Sequence, residues 1–189
     1  MNILRVIAGT AKNHRLKTVK GMNTRPTSEK VKEALFNILR NHMHEADVLD
    51  LFAGTGSLGI EALSRGAKSA VFVDINGEAI SVIRDNLTHT KLMDKAEVYR
   101  TSWDNAISRL QNVRKFDIIF LDPPYGKNFI HRALNSISNS GIIEDNGIIV
   151  VERHKTDKLQ EVVLNFGMVD ERLFGDTVLS FYKKIIDEN

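Results

Sequence analysis

The chain has 189 residues, of which 42% are hydrophobic, and this is enough for one domain with a substantial core and a small appendage. The sequence contains no cysteine, which excludes disulfide frameworks and cysteine-ligated metal sites, and no run of about 20 apolar residues that could span a membrane. The net charge is +2, but residues 1–40 carry nine Lys or Arg against two Glu, so the remaining residues are net negative. A basic segment on an acidic body is typical of proteins that bind a polyanion. The lack of cysteine and of a long apolar run leads us to expect a soluble, cytoplasmic protein.

The apolar pattern predicts two short β-type runs at 2–8 and 15–19, which pair as an irregular hairpin, followed by a helix over 27–42. The next part alternates strands and helices, which is the signature of a mostly parallel sheet covered on both faces. Strands are predicted at 48–52, 69–74, 96–101, 116–121 and 147–152, and a final antiparallel hairpin at 162–173 and 177–184. Helices are predicted from the glycine-rich segment at 53–59 to about residue 66, and at 76–89, 105–111, 129–137 and 156–161. The sequence therefore predicts an α/β fold.

The strand at 116–121 ends abruptly at Asp122, because Pro123 and Pro124 cannot donate to a sheet ladder. The carboxyl edge of an open α/β sheet is where ligands bind. We expect the Asp122 carboxylate and the Pro123 carbonyl to accept hydrogen bonds from an exocyclic amine of a nucleobase, whose lone pair is otherwise a poor nucleophile. Tyr125 would offer a flat face on which the base stacks. These residues predict a site for methylation of a base amine.

A glycine-rich loop follows the first of the parallel strands. Gly54 and Gly56 fit the pattern G-x-G-x-x-G, and Asp74 lies 20 residues after Gly54, at the end of the next strand. The pattern also fits a nicotinamide or flavin dinucleotide, which leaves an oxidoreductase as an alternative. Asp50 favours S-adenosylmethionine, because a carboxylate beside the loop repels a pyrophosphate but attracts an ammonium and a sulfonium. The residues predicted to bind the methyl donor are Asp50, Phe52, Gly54, Gly56, Asp74, Ile75, Ser102 and Trp103.

Both motifs resemble those of the Rossmann-type amino-group methyltransferases, with Asp50 to Gly59 as the donor loop and Asp122 to Tyr125 as the catalytic tetrapeptide. The amino-terminal block Arg5-Val-Ile-Ala-Gly9, and Thr24-Arg25-Pro26-Thr27 ahead of Leu35-Phe36-Asn37-Ile38-Leu39, resemble the bacterial 16S ribosomal RNA guanine-N2 methyltransferases. The resemblance covers nearly the whole chain. It implies a Rossmann-like class I methyltransferase fold with a seven-stranded, mostly parallel sheet whose last strand is antiparallel. It also implies an amino-terminal extension that binds RNA.

The resulting hypothesis is methylation of the N2 amine of a guanine in 16S ribosomal RNA of the small subunit, with residues 1–26 as the RNA-contacting extension and 27–189 as the methyltransferase domain. The predicted catalytic residues are Asp122, Pro123 and Tyr125, and the predicted substrate-binding residues are Arg5, Arg15, Lys17, Arg25 and Pro124. An adenine-N6 methyltransferase acting on RNA or DNA is the nearer alternative, because such enzymes use the same kind of tetrapeptide. The scattered histidines predict no metal site, and the lack of a coiled-coil heptad predicts a monomer.

Overall fold

The computed structural model describes residues 4–19, 28–124 and 128–185. Among these residues, eight strands form one sheet in the order β3-β2-β1-β4-β5-β8-β7-β6. The strands are β1 (Asp47–Asp50), β2 (Ser69–Asp74), β3 (Ala96–Arg100), β4 (Phe116–Leu121), β5 (Ile143–His154), β6 (Val162–Val163), β7 (Phe166–Phe174) and β8 (Thr177–Lys184). The helices are α1 (Glu29–Ile38), α2 (Ser57–Ser64), α3 (Gly77–His89), α4 (Trp103–Leu110) and α5 (Phe129–Ser140), with short 3-10 turns at Arg40–His42 and Met93–Lys95. The predicted α/β fold is confirmed.

The order of the strands sets the position of the functional edge. Strand β1 pairs in parallel with β2 on one side and with β4 on the other, and β4 pairs in parallel with β5. The chain therefore adds β2 and β3 on one side of β1 and then crosses to add β4 on the other side. This reversal opens a crevice outside the carboxyl ends of β1 and β4. Strand β8 pairs antiparallel with β5, β7 pairs antiparallel with β8, and β6 pairs antiparallel with β7.

The sheet has eight strands rather than the seven that were predicted. The predicted continuous strand at 162–173 is broken where Leu164 adopts a left-handed φ of 53°. The chain turns back there, so that Val163 pairs with Phe166 and a short additional strand, β6, covers the edge of β7.

Two apolar clusters hold the layers together, one on each face of the sheet. Leu35, Ile60 and Ile83, from α1, α2 and α3, pack with Phe120 on one face, whereas α4 and α5 pack on the other. Helix α2 can lie close to the sheet only because residue 59 is a glycine, since a Cβ there would approach a ring atom of Phe72 to 2.3 Å. The glycine-rich segment is therefore needed for packing as well as for ligand approach.

The irregular amino-terminal hairpin is confirmed. Arg5 and Arg15 form an antiparallel bridge, and the backbone N–H of Leu16 donates to the carbonyl of Leu4 at 2.8 Å. Leu4, Leu16 and Val6 are buried in the same apolar cluster as α1 to α3. The segment consequently packs directly on the body of the protein.

Helix α1 begins two residues later than predicted and is shorter. The Ser28 hydroxyl accepts a hydrogen bond from the backbone N–H of Val31 at 3.3 Å, so Ser28 is the N-cap. The preceding Arg25, Pro26 and Thr27, and with them the proposed domain boundary, lie outside the described residues.

Two further differences concern the carboxyl edge. The helix predicted at 156–161 is wrong, because β5 extends to His154 and is followed by a turn in which the backbone N–H of Asp157 donates to the His154 carbonyl at 2.9 Å. Helix α4 begins at Trp103, two residues before the predicted start. In the described parts of the chain, the helices are all too short or too polar to cross a membrane.

Candidate active site at the carboxyl edge of the sheet

The loop after β1 is held open by its glycines. Gly54 and Gly56 have φ angles of 53° and 78°, which other residues rarely adopt. A Cβ added at Gly54 would meet no described atom within 4 Å, so the backbone borders open space. The N–H of Ala53 donates to the Val73 carbonyl at 2.9 Å, which fixes the loop beside β2. The loop is thus a rigid rim that exposes its backbone to a ligand.

Asp50 lies below this loop at the end of β1 and is 1% exposed. Its Oδ1 atom has no hydrogen-bond partner among the described residues. The pKa of Asp50 is raised to about 7, mainly by burial and to a smaller extent by the charge of Asp74, while hydrogen bonds from the backbone of Gly59 and Phe52 oppose the shift. A buried carboxyl group with a bare oxygen is arranged to meet a cation or a hydrogen-bond donor.

Asp74 ends β2 and joins two segments of the edge. Its Oδ2 accepts the N–H of Gly54 at 2.9 Å, and its Oδ1 accepts the N–H of Asn76 at 2.8 Å. Each carboxylate oxygen has a second lone pair. Asp74 can therefore shape the loop and still accept hydrogen bonds from the two hydroxyls of a ribose.

An aromatic group lies at the same edge. The ring of Phe52 lies 6.5 Å from that of Trp103 and 6.0 Å from that of Phe129, measured between centroids. Ile75 follows β2 and is 70% exposed. A planar adenine could contact such apolar surfaces. The predicted set is thus brought to one edge, and Phe129 is an addition that no sequence motif indicated.

The start of α4 is fixed by contacts to its first turn. Ser102 directly precedes the helix, and a hydrogen bond with its side chain lowers the pKa of the Asp104 carboxyl group. The Arg132 guanidinium lies over the Trp103 ring, 5.4 Å from its centroid. This cation–π contact orients the indole and was not predicted from the sequence.

S-adenosylmethionine fits this edge, whereas a dinucleotide fits poorly. The bare Oδ1 of Asp50 suits the cationic groups of the methyl donor, and it would repel a pyrophosphate. The open backbone of Gly54 and the carboxylate of Asp74 provide the remaining polar contacts. The residues that could hold the donor are therefore those named from the sequence.

The predicted acceptor residues follow β4 on the other side of β1. Asp122 is partly exposed, Pro123 is buried and Pro124 is exposed, while Tyr125 lies outside the described residues. Withdrawal from water is the largest cause that raises the pKa of the Asp122 carboxyl group well above its ordinary value, followed by the negative charges of Glu152 and Asp50. Asp122 therefore lies within electrostatic range of the carboxyl group beneath the glycine loop.

A cavity of about 330 Å³ adjoins this segment. Its walls include Pro123, Pro124, Phe129 and Glu152. Glu152 was missed in the sequence, although it ends the predicted strand at 147–152 as Asp122 ends the preceding one. That shared position at the ends of two strands was the available signal.

The predicted substrate-binding cations lie on or near the amino-terminal hairpin. Arg5 donates from its Nε to Glu29 at 2.9 Å, and Lys17 donates from its Nζ to Asp85 at 2.8 Å. The Arg15 side chain is exposed, and Arg25 lies outside the described residues. Two of the predicted cations are therefore already partnered with acidic side chains of the body.

Comparison with known proteins agrees with this geometry. Residues 4–183 match the family described as "Conserved hypothetical protein 95". Ribosomal RNA small subunit methyltransferase D of Haemophilus influenzae is 34% identical over 181 residues, which cover 95% of this chain and 93% of that protein. A Bacillus subtilis protein provisionally named as the rRNA methyltransferase YlbH is 40% identical over 182 residues, which cover 96% of this chain and 99% of that protein.

The comparison with solved structures gives the same result. A provisionally assigned methyltransferase of Escherichia coli, yhhF, superposes with a TM-score of 0.85 at 27% identity, covering 97% of this chain and 99% of that chain. The resemblance found in the sequence is confirmed. The chain therefore belongs to the Conserved hypothetical protein 95 family, the family of ribosomal RNA small subunit methyltransferase D.

Proposed function

We propose that the protein transfers a methyl group from S-adenosylmethionine to the N2 amine of a guanine in small-subunit ribosomal RNA. The observation that carries the proposal is the meeting of two motifs at one edge, because β1 and β4 are parallel neighbours and the glycine loop after Asp50 leaves the sheet beside the segment that begins at Asp122. The names of the relatives support ribosomal RNA as the substrate. Guanine rather than adenine is supported by the resemblance of the amino-terminal block.

The donor side is formed by the glycine loop and its carboxylates. When bound, S-adenosylmethionine supplies an electrophilic methyl group on a sulfonium that leaves as a neutral thioether. Asp50, with its bare Oδ1, stabilises positive charge beside Gly54, and Asp74 orients the ribose. Trp103 and Ile75 border the adenine.

The acceptor side is formed by the segment after β4. The Asp122 carboxylate and the Pro123 carbonyl accept hydrogen bonds from the N2 hydrogens, which concentrates electron density on the nitrogen and aligns its lone pair with the methyl group. Tyr125 stacks on the base after the base has left its stacked position in the RNA. Asp122 accepts these bonds most strongly as a carboxylate, and a bound cation favours that form because it lowers the raised pKa of Asp122.

The amino-terminal extension of residues 1–26 binds RNA phosphates, and Arg5, Arg15, Lys17 and Arg25 provide its charge. The ion pairs of Arg5 with Glu29 and of Lys17 with Asp85 are exposed, so phosphates can replace the carboxylates at little cost. Pro124, the exposed third residue of the tetrapeptide, contacts the target nucleotide. The protein acts as a monomer.

Incubation of small ribosomal subunits with S-adenosylmethionine labelled in its methyl group tests this function. We expect label in ribosomal RNA and, after digestion to nucleosides, in N2-methylguanosine. Recovery of N6-methyladenosine alone would contradict the proposal and favour the adenine alternative. Calorimetry separates the oxidoreductase alternative, since that enzyme would bind NADH and give no heat with S-adenosylhomocysteine.

A further inference from the structure

The cavity beside the tetrapeptide has the size and position of a pocket for one base. Its volume of about 330 Å³ lies at the lower end of the range of about 300–1,000 Å³ for small-molecule sites. The prolines after β4, the start of α5, the end of β5 and the turn at 156–159 form its walls. Thr156 and Lys158 lie on the wall contributed by that turn and are exposed, so polar groups are available for the sugar and phosphate.

Glu152 is the buried acidic residue among the described residues that line this cavity. The last pair in the parallel register of β4 and β5 is Leu121 with Val151. Asp122, which directly follows β4, and Glu152 of β5 are the next residues after that pair. Glu152 is 7% exposed and lines the cavity, and its charge acts on the carboxyl group of Asp122. Two acidic side chains therefore meet where the acceptor base is expected.

A second observation shows that this edge is built for a ligand. The buried Oδ1 of Asp50 has no described hydrogen-bond partner, and Asp50 acts electrostatically on Asp122 as Glu152 does. Carboxyl groups crowded in this way favour a ligand that brings donors or positive charge. The methyl donor would bring positive charge to the Asp50 side, and a base that enters the cavity beside Glu152 must not place a lone pair against its carboxyl group.

Guanine is the base that meets this requirement. Its Watson–Crick edge presents N1–H next to the N2 amine, so it offers donors to two neighbouring carboxylates. Adenine presents a lone pair at N1, which would face an ionised acceptor. We propose that the cavity receives the acceptor guanine and that Glu152 accepts a hydrogen bond from its N1–H, which makes Glu152 the residue that selects guanine; this inference rests on the proposed guanine-N2 activity.

The test compares guanine with 2-aminopurine, which keeps the N2 amine but has a lone pair at N1. Small subunits are reconstituted with RNA that carries either base at the mapped target position, and kcat/KM is measured for both. The wild-type protein should prefer guanine by about 10- to 100-fold, which corresponds to the loss of one hydrogen bond to a charged group. In Glu152→Gln the amide can donate to the N1 lone pair, so the preference should fall at least about tenfold.

Glu144→Gln is the matched control, because Glu144 lies on the same strand near its amino end and is partly exposed beside Lys115. It should retain the wild-type preference. An unchanged preference in Glu152→Gln, with S-adenosylhomocysteine still bound, would overturn the role of Glu152. If that variant fails to fold, the wild-type protein alone still tests the proposal, because equal values of kcat/KM on guanine and 2-aminopurine would also overturn the role of Glu152. Wild-type protein that forms no N2-methylguanosine would instead refute the proposed function itself.

Discussion

Asp50 is the residue whose ionisation links the fold to donor binding. Its pKa of about 7 results mainly from burial, and the nearby charge of Asp74 adds to the shift. The carboxyl group is consequently half protonated near neutral pH in the free protein. A cationic ligand favours the ionised form, so binding below this pKa must release a proton.

The first prediction follows from this proton release. The affinity for S-adenosylmethionine should fall as the pH is lowered from 8 to 6, approaching about tenfold per pH unit below the pKa of Asp50. Isothermal calorimetry in buffers of different ionisation enthalpy measures both the affinity and the protons released. Asp50→Asn should bind more weakly at pH 8 and show little pH dependence. A wild-type affinity that stays constant over this range would contradict the role of Asp50.

The second prediction concerns stability in the absence of the donor. Because the folded pKa lies above the value of 3.8 for a free carboxyl group, the folded state holds more protons between about pH 4 and 7. The stabilisation from Asp50 is complete below this window and is lost as the pH rises through it. Asp50→Asn should therefore gain stability relative to wild type as the pH rises from 5 to 8, by about 2 to 3 kcal/mol. Urea unfolding at both pH values measures the difference, and a constant difference would contradict it.

The third prediction concerns Asp74, whose two oxygens bind the backbone of Gly54 and Asn76. Asp74→Ala should weaken donor binding by about 1–3 kcal/mol, because charged hydrogen bonds to the ribose are lost and the loop is released. Calorimetric titration with S-adenosylhomocysteine measures the change. Asp94→Ala, an exposed carboxylate after α3, is the control and should bind as wild type does. Equal losses in both variants would exclude a specific role.

Single residues were predictable where a strand ended on an acid or a glycine. Asp74 and Asp122 were found in this way, whereas Asp50 was found from its position four residues before Gly54, and the structure brings all three to one edge. Glu152 ends the predicted strand at 147–152 in the same way but belongs to no recognised motif, and in the structure β5 continues past it to His154. The contact of Arg132 with Trp103 joins two different helices, and one sequence does not contain that pairing.

At the scale of elements, α3 connects the amino-terminal hairpin to the donor loop through Asn86, which is 1% exposed. The Asn86 side chain accepts the N–H of Lys17 at 2.7 Å and donates to the Lys17 carbonyl at 3.1 Å. It also donates to the Thr55 carbonyl, within the glycine loop, at 2.9 Å. One buried amide thus fixes the hairpin and the loop together.

A second connection between the amino-terminal hairpin and the donor loop is made by Lys32 of α1, whose side chain is fully buried. Its Nζ donates to the Arg5 carbonyl at 2.7 Å and to the Ser57 hydroxyl at 3.0 Å, and it pairs with Glu61 at 3.5 Å. Burial lowers the pKa of Lys32, whereas Glu61 opposes that shift. Lys32 therefore links the amino-terminal hairpin, which is expected to bind RNA, to the glycine-rich segment, which is expected to bind the donor.

The fourth prediction tests this connection. Asn86→Ala leaves buried backbone groups of Lys17 and Thr55 without a partner, so the free energy of unfolding should fall by at least about 2 kcal/mol. Donor affinity should fall as well, because Thr55 belongs to the loop. Urea unfolding and calorimetry provide the two values. Thr88→Ala changes an exposed residue of the same helix and should have little effect, and equal effects of the two variants would refute the connection.

Elements were predictable where a run of apolar residues was bounded by turn residues. The predicted strands at 69–74 and 116–121 agree with β2 and β4 in both bounds. The helix expected at 156–161 failed because tertiary hydrogen bonds override local preference: the backbone N–H of Lys155 donates to the Asp176 carbonyl, and the Tyr182 hydroxyl donates to the Gln160 carbonyl. The break at Leu164 could not be foreseen, because leucine seldom adopts a positive φ.

At the scale of the whole molecule, acidic and basic groups are separated. Carboxyl groups line the carboxyl edge of the sheet, whereas the excess of Lys and Arg lies in the first 40 residues. The acidic edge attracts the cationic donor, and the basic segment attracts the polyanionic substrate. The composition alone predicted this division, but the position of the hairpin against α3 required the structure.

The fifth prediction concerns the basic segment. Replacing Arg15 and Lys17 together by alanine should lower the affinity for ribosomal RNA and reduce its logarithmic salt dependence by about 1.5, because about two phosphate contacts are lost. Filter binding at several salt concentrations measures this slope. Lys68→Ala with Lys115→Ala removes the same charge at the opposite, amino-terminal edge of β2 and β4 and should leave the slope unchanged. Equal slopes in both double variants would contradict an RNA-binding hairpin.

The most direct test of the central claim is a single-turnover transfer to small subunits that lack the modification, followed by identification of the methylated nucleoside. Wild-type protein should form N2-methylguanosine at no more than one site per particle. Asp122→Ala should form none while it binds S-adenosylhomocysteine as wild type does, because the acceptor for the amine is lost and the donor loop is intact. Methylation of adenine, or transfer by Asp122→Ala at the wild-type rate, would contradict the account.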